Sequence, residues 1–135
     1  MAEFLSGKYT HQLDDRGRLR IPPKLKEILG EKPFVTLGSG KCLVVYSNEN
    51  AQAIFAERFK NVDGLSPDPQ LDRMREVFSN GAFVDEDKQG RITIPQYLID
   101  DCGFAKNIVS IGMFNRIEIW GEEEWESIRK AKQSS

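Results

Sequence analysis

One histidine and two cysteines are all that the chain offers of imidazole and thiol ligands. With His11 as the lone imidazole, zinc chemistry has too few ligands. Cys42 and Cys102 fall at non-equivalent points of a sequence that otherwise repeats itself, so they imply no disulfide framework. No apolar run is long enough to cross a bilayer. The start, Met1-Ala2-Glu3-Phe4, has neither the charged nor the apolar region of a secretory signal, and the expectation is a cytoplasmic chain without a membrane partner. Nucleophile elbow, phosphate loop and metal-ligand spacing are all missing, which removes the common enzyme signatures. A large positive charge is missing too: the net charge of −2 argues against non-specific coating of nucleic acid.

What remains is a sequence of 135 residues, 39% hydrophobic and 30% charged, as expected of a folded globular protein. That length supports one compact domain or two small intertwined halves. A lone half is too short for a thick core, so the halves are expected to share one core or to gain stability by oligomerising.

The organising feature is a repeat. Asp14-Asp15-Arg16-Gly17-Arg18-Leu19-Arg20-Ile21-Pro22 returns 73 residues later as Asp87-Lys88-Gln89-Gly90-Arg91-Ile92-Thr93-Ile94-Pro95. Gly17 and Gly90 stand where a tight turn needs positive φ. Leu19 and Ile21, like Ile92 and Ile94, alternate with Arg20 and Thr93 as the buried and open faces of a strand. Each copy also places Asp four residues before Arg, so Asp14 with Arg18 and Asp87 with Arg91 are expected as ion pairs across the turn. Such a pair either braces the turn or leaves an arginine positioned to contact a ligand.

Taken in order, Lys8 to Leu13 alternates like a strand and is expected to pair with Arg18 to Ile21 across the turn. Pro22-Pro23 then opens a short helix with Leu25, Ile28 and Leu29 on one face and Gly30 as its stop. Its echo is Pro95 to Cys102, stopped by Gly103. Phe34 to Gly38 with Cys42 to Tyr46 reads as a second hairpin, echoed by Ile108 to Gly112 with Arg116 to Trp120. Asn48 is the expected cap of a helix carrying Ala51, Ile54, Phe55 and Phe59, and Glu122 to Glu124 stand at the start of its counterpart. Between the repeats, Lys60 to Asp68 is rich in turn formers. A helix then runs from the cap Asp68, with Leu71, Met74 and Phe78 on one side and Gly81 at its end. The expected organisation is a first repeat over 1–60, a linker and connecting helix over 61–81, and a second repeat over 82–135, with Lys130 to Ser135 frayed.

Charge is sorted along the chain. Lys8, Arg16, Arg18, Arg20, Lys24 and Lys26 crowd the first motif, whereas Glu122, Glu123, Glu124 and Glu126 make the last helix acidic. Either this is a solvated face or it is a surface for a polyanion.

Phe4, Gly7, Tyr9, His11, Asp14, Gly17, Arg18, Ile21 and Pro22, followed by a second Asp87/Gly90/Arg91/Pro95 set, form a pattern that resembles the MraZ family of bacterial transcription regulators. The resemblance runs from Phe4 to about Trp125. It implies an α+β fold of two AbrB-like, swapped-hairpin repeats in one chain, forming a small pseudo-symmetric β-barrel with peripheral helices. It also implies double-stranded DNA as partner, at short direct repeats ahead of the division and cell-wall gene cluster, a homo-oligomeric ring, and a nucleoid-associated place in the cytoplasm. Lys8, Arg16, Arg18, Arg20 and Lys24 are the positions it marks for DNA contact. The second copy carries Asp85 and Glu86 where the first has Gln12 and Leu13, so DNA contact is expected chiefly from the first.

Three functions stand against one another. An enzyme could use the Asp and Arg pairs to hold a carboxylate or phosphate, but two copies of a catalytic pair are seldom kept in so short a chain, and His11 is a weak candidate for a base. A ring-forming scaffold without DNA is the second reading. A DNA-binding regulator, with no cofactor and no small-molecule substrate, accounts for the sorted charge and the duplicated motif together.

Overall fold

The computed structural model describes residues 3–134. Among the described residues eight strands and five helices follow one another as β1 (Lys8–Gln12), β2 (Arg18–Arg20), α1 (Pro23–Leu29), β3 (Phe34–Leu37), β4 (Cys42–Tyr46), α2 (Asn48–Arg58), α3 (Pro69–Ser79), β5 (Ala82–Phe83), β6 (Arg91–Thr93), α4 (Gln96–Cys102), β7 (Asn107–Gly112), β8 (Ile117–Gly121) and α5 (Glu122–Ser134).

Local signals act as their chemistry dictates. Pro22 and Pro95 precede α1 and α4, and Gly30 and Gly103 close them at φ of 79° and 67°, where a side chain would be strained. The Asp68 side chain accepts from the Gln70 N–H to cap α3. The cap of α2 is Ser47 rather than Asn48: its Oγ accepts from the Asn50 N–H, while the Asn48 amide reaches back to the Lys32 carbonyl. Asn80, ahead of Gly81, is the C-cap of α3. Gly81 has another role, since a Cβ there would run into the Phe34 ring. At the far end α5 continues to Ser134, so the fraying expected from Lys130 onward is not observed up to that residue, and Ser135 lies outside the described residues. Met1 and Ala2 of the start also lie outside them.

The strands assemble by exchange between the repeats. Six form one antiparallel sheet in the order β1-β7-β8-β4-β3-β5, and β2 pairs with β6 as a separate two-stranded ribbon. Repeat partners occupy mirrored places in that order: β1 answers β5, β7 answers β3, and β8 lies beside β4 at the centre. The expected pairing of Lys8–Leu13 with Arg18–Ile21 is therefore overturned. β1 pairs with β7, with Tyr9 opposite Ser110, and β2 pairs with β6, with Leu19 opposite Ile92. The two later hairpins, β3–β4 and β7–β8, form as expected. The closed barrel is corrected too. Among the described residues the six-stranded sheet is open, with β1 and β5 as its edges.

Burial explains the exchange. Leu19, Ile21, Ile92 and Ile94 on the ribbon, Leu25 and Leu29 on α1, Leu98 and Ile99 on α4, and Val35, Leu43, Val45, Ile117 and Ile119 on the sheet form one continuous core. Leu19 and Ile92, opposite one another, are 1% and 0% exposed, and each such side chain stabilises the fold by about 1.5–3 kcal/mol. Neither repeat can cover these residues alone, because each supplies one strand of the ribbon.

Candidate nucleic-acid interface

A strand with one buried face shows its alternate residues to solvent. With Leu19 and Ile92 inward, the ribbon presents Arg18, Arg20, Arg91 and Thr93 outward, Arg18 opposite Thr93 and Arg20 opposite Arg91. Arg16 and Lys88, both exposed, stand on the turns that lead into the two strands. The exchange thus merges the two motifs into one surface carrying five cations.

Both turns are built alike. The Asp14 carboxylate accepts from the backbone N–H of Arg16 and of Arg18, each at 2.9 Å, and from Arg18 Nε at 2.6 Å. The Asp87 carboxylate accepts from the N–H of Gln89 at 2.8 Å, the N–H of Arg91 at 3.0 Å and Arg91 Nε at 2.8 Å. Gly17 and Gly90 hold φ of 73° and 76°, as the turn needs. They differ in their surroundings: a Cβ on Gly17 would press on Ile99 Cδ1 at 2.8 Å, whereas the space around Gly90 is nearly open.

The copies also differ in how far the arginine is occupied. Arg91 binds Asp87 through Nε and lies 3.6 Å from Asp14 through Nη1, so it ties the two turns together. Arg18 uses Nε alone, and its Nη1 and Nη2 make no hydrogen bond among the described residues. Nε fixes the plane of the guanidinium, and the outer fork stays open to an anion.

Backbone N–H donation from Arg18 holds the Asp14 carboxyl below the usual carboxylate range, and Arg91 does the same for Asp87. The unfolded chain, with ordinary aspartates near 3.8, therefore takes up protons first as pH falls. The stabilisation is complete above that value and is lost as pH drops through the lower folded-state values. A melting series from pH 7 downward is expected to show Tm falling below about pH 4. That acid-side fall should be shallower in the Asp14→Asn/Asp87→Asn double variant.

The remaining expected contact residues lie as follows. Arg16, Arg20 and Lys24 are exposed, Lys24 in the first turn of α1 just after the ribbon. Lys8 is not brought to this surface by the strand pairing: it sits opposite Ile111, at the end of β1 remote from the ribbon turn. Asp85 and Glu86 do not weigh on the ribbon alone, because Lys32 lies 3.6 Å from Asp85 and Lys26 3.0 Å from Glu86. Sequence reasoning missed Lys88 and Arg91 as members of the same surface as Arg18, since only the exchange makes them neighbours.

His11 is a structural residue. Its Nε2 is 2.6 Å from Ser110 Oγ on the neighbouring strand, and burial pushes its pKa down, with the Arg20 backbone opposing that shift. The thiols of Cys42 and Cys102 are free, buried, and pushed up to about 12 by that burial, which keeps them protonated. Among the described residues no group of three His, Cys, Asp or Glu could hold a metal ion, and no helix is long and apolar enough to cross a membrane.

The fold and the site together define a duplicated, strand-exchanged α+β protein whose two Asp–Arg turns meet on one basic ribbon. The chain belongs to the MraZ family: the family model described as "MraZ protein, putative antitoxin-like" matches residues 4–64 and 77–135. It is similar to a protein named "Transcriptional regulator MraZ" from Lachnoclostridium phytofermentans, 43% identical over 121 residues, which cover 90% of this chain and 84% of the relative. Relatives of the same name include one from Clostridium botulinum strain Alaska E43, 38% identical over 93% of this chain and 87% of its own. Another, from Caldicellulosiruptor saccharolyticus, is 39% identical over 91% and 85%. These names describe regulators, not enzymes.

Proposed function

We propose that this chain is a transcriptional regulator that binds double-stranded DNA through the β2–β6 ribbon. The observation that carries the reading is the outward row of Arg18, Arg20 and Arg91, flanked by Arg16 and Lys88, on two strands. A major groove about 12 Å wide admits a two-stranded ribbon, and arginine forks suit both phosphates and guanine edges. Arg16, Arg18, Arg20 and Lys24 are the contact residues, and Arg91 braces. The two repeats, over 1–60 and 82–135 with 61–81 between them, act as one unit that shares the ribbon.

The targets under this reading are short direct repeats ahead of the division and cell-wall gene cluster, which includes the protein's own gene. Copies of the chain close into a ring by a head-to-tail contact, so that several ribbons meet successive repeats and weak single contacts add. The test is native mass of the full chain, alone and with its own upstream DNA or a scrambled duplex. The expected result is a closed oligomer that retains only the upstream DNA. An oligomer that ignores both duplexes would instead favour a scaffold.

A further inference from the structure

The outer face of the sheet, opposite the ribbon, carries residues that the DNA reading does not use. Alternation along β3, β4 and β8 sends Val35, Val45 and Ile117 into the core and Thr36, Val44, Tyr46 and Glu118 the other way. There they line a cavity of about 450 Å3 beneath α2 and α3. Three guanidiniums border it from three different segments: Arg58 on α2, Arg73 on α3, and Arg116 just before β8.

We propose that this cavity binds a small anionic molecule with a flat apolar body, a phosphate or carboxylate on an aromatic ring being the simplest form.

The charges decide the sign of the ligand. Arg73 bonds Glu76 at 3.0 Å and the Leu37 carbonyl at 3.3 Å, and Arg116 bonds Glu118 at 3.3 Å and the Asn115 amide oxygen at 3.2 Å. Glu118 is further engaged by Trp120 Nε1 at 3.0 Å. Two carboxylates thus offset two guanidiniums. Arg58 is left in excess, since its partners carry no charge: the Gln70 amide at 3.2 Å and the Phe59 ring, 5.2 Å from the guanidinium carbon. On the wall of the same cavity the half-buried Tyr46 hydroxyl has no hydrogen-bond partner among the described residues. Burial pushes that phenol up and Glu118 adds to the rise, while Arg116, Arg73 and Arg58 oppose it; all four charged groups line the same cavity. An anion there gains forked, charge-assisted donors.

The apolar half of the ligand follows from the wall. Phe55 and Phe59 lie parallel with centroids 6.3 Å apart, and Tyr46 meets Phe55 edge-on at 4.9 Å. A flat ring extends this cluster in the offset or edge-on geometry that aromatic pairs prefer. The volume and the mixture of apolar wall with a few converging polar groups suit a small ligand. The same strands line the cavity on one face and the core beneath the ribbon on the other, so a bound anion has a packed route by which it would act as an effector of the ribbon. The cavity binds its anion whether or not the ribbon binds DNA; the effector role alone rests on that reading.

The experiment is calorimetric titration of the full-length protein with phenyl phosphate, with inorganic phosphate and benzyl alcohol as separate arms. Phenyl phosphate is expected to saturate one site per chain and to bind more tightly than either fragment. Arg116→Gln and Arg58→Gln are each expected to weaken it about ten- to a hundred-fold, the value of a hydrogen bond to a charged group. Arg75→Gln, on α3 but outside the cavity, should leave it unchanged. The partners of Arg58 are the neutral Gln70 amide and the Phe59 ring, over which its guanidinium lies at 5.2 Å, so no buried carboxylate is orphaned by its loss; melting temperatures measured beside binding separate any loss of stability from loss of the site. No saturation by about 1 mM, the upper end of ordinary small-molecule affinities, would overturn the proposal. So would unchanged binding in both variants, or loss through Arg18→Gln in its place. Inorganic phosphate binding as tightly as phenyl phosphate would overturn the apolar body. DNA binding is measured on the same samples, so failure of the cavity and failure of the ribbon are told apart.

Discussion

Arg18→Ala is expected to lose most of its affinity for the upstream DNA, while Arg91→Ala keeps most of it and melts earlier. The two residues are equivalent in sequence but not in engagement. Arg91 spends Nε on Asp87 and places Nη1 3.6 Å from Asp14, so removing it loosens both turns. Arg18 spends Nε only and holds its outer fork toward solvent. A lost charge-assisted contact costs about 1.5–3 kcal/mol, or roughly ten- to a hundred-fold in affinity for each site engaged. In a ring the losses occur together on several chains. If the contact is to phosphate, the slope of log K against log salt should also fall by about one per contact removed. The turn at Asp14 survives the substitution, because the backbone N–H groups of Arg16 and Arg18 still donate to its carboxylate. Affinity at several salt concentrations, measured beside melting temperature for both variants, checks this. The opposite pattern, an early-melting Arg18→Ala that binds normally per folded molecule, would exchange the two roles.

The fragment Met1–Asp63 is expected not to fold as a monomer. Cutting there removes β7 from β1, β6 from β2 and β8 from β4, and leaves β3–β4 as the one intact antiparallel pair. A lone hairpin is marginal in water. The exposed faces of Leu19, Leu43 and Val45, buried in the whole chain, would meet solvent. Two fragments could rebuild the exchange as a homodimer, each supplying the strands that the other lacks. Circular dichroism and sedimentation of the fragment should therefore show either an unfolded monomer or a folded dimer. A monomer with a cooperative melt would contradict the exchange.

Much of the local structure was legible in the sequence. Proline before a helix, glycine after it, Asp68 as a cap and β-branched alternation in the later hairpins act within a few residues, and the elements stand where these signals put them. Pairing was not legible in the same way. Alternation in Lys8–Gln12 says that one face is buried but not which strand lies alongside, and the Asp14–Gly17 turn fits a hairpin as well as a corner. Tertiary burial decides: the Ile94 N–H bonds the Gly17 carbonyl at 2.9 Å and the Leu13 N–H bonds Lys106, drawing β2 to β6 and β1 toward β7. The misplacement of Lys8 beside Arg18 follows from that one error of partner. The acidic Asp85 and Glu86 were misweighed for a similar reason, since the lysines that face them lie more than 50 residues earlier in the chain. Ser47 displaced Asn48 as a cap because the Asn48 amide had a carbonyl within reach at Lys32.

The central claim is that DNA lies on the outward face of the β2–β6 ribbon. Thiol cross-linking tests it directly, because both native cysteines are buried and leave little background. Thr93→Cys puts a thiol on that face, opposite Arg18, and Ala53→Cys puts one on exposed α2. With upstream DNA carrying a disulfide tether on its bases, Thr93→Cys is expected to cross-link and Ala53→Cys is not. Cross-linking from Ala53→Cys alone, or equally from both, would contradict the ribbon as the DNA surface.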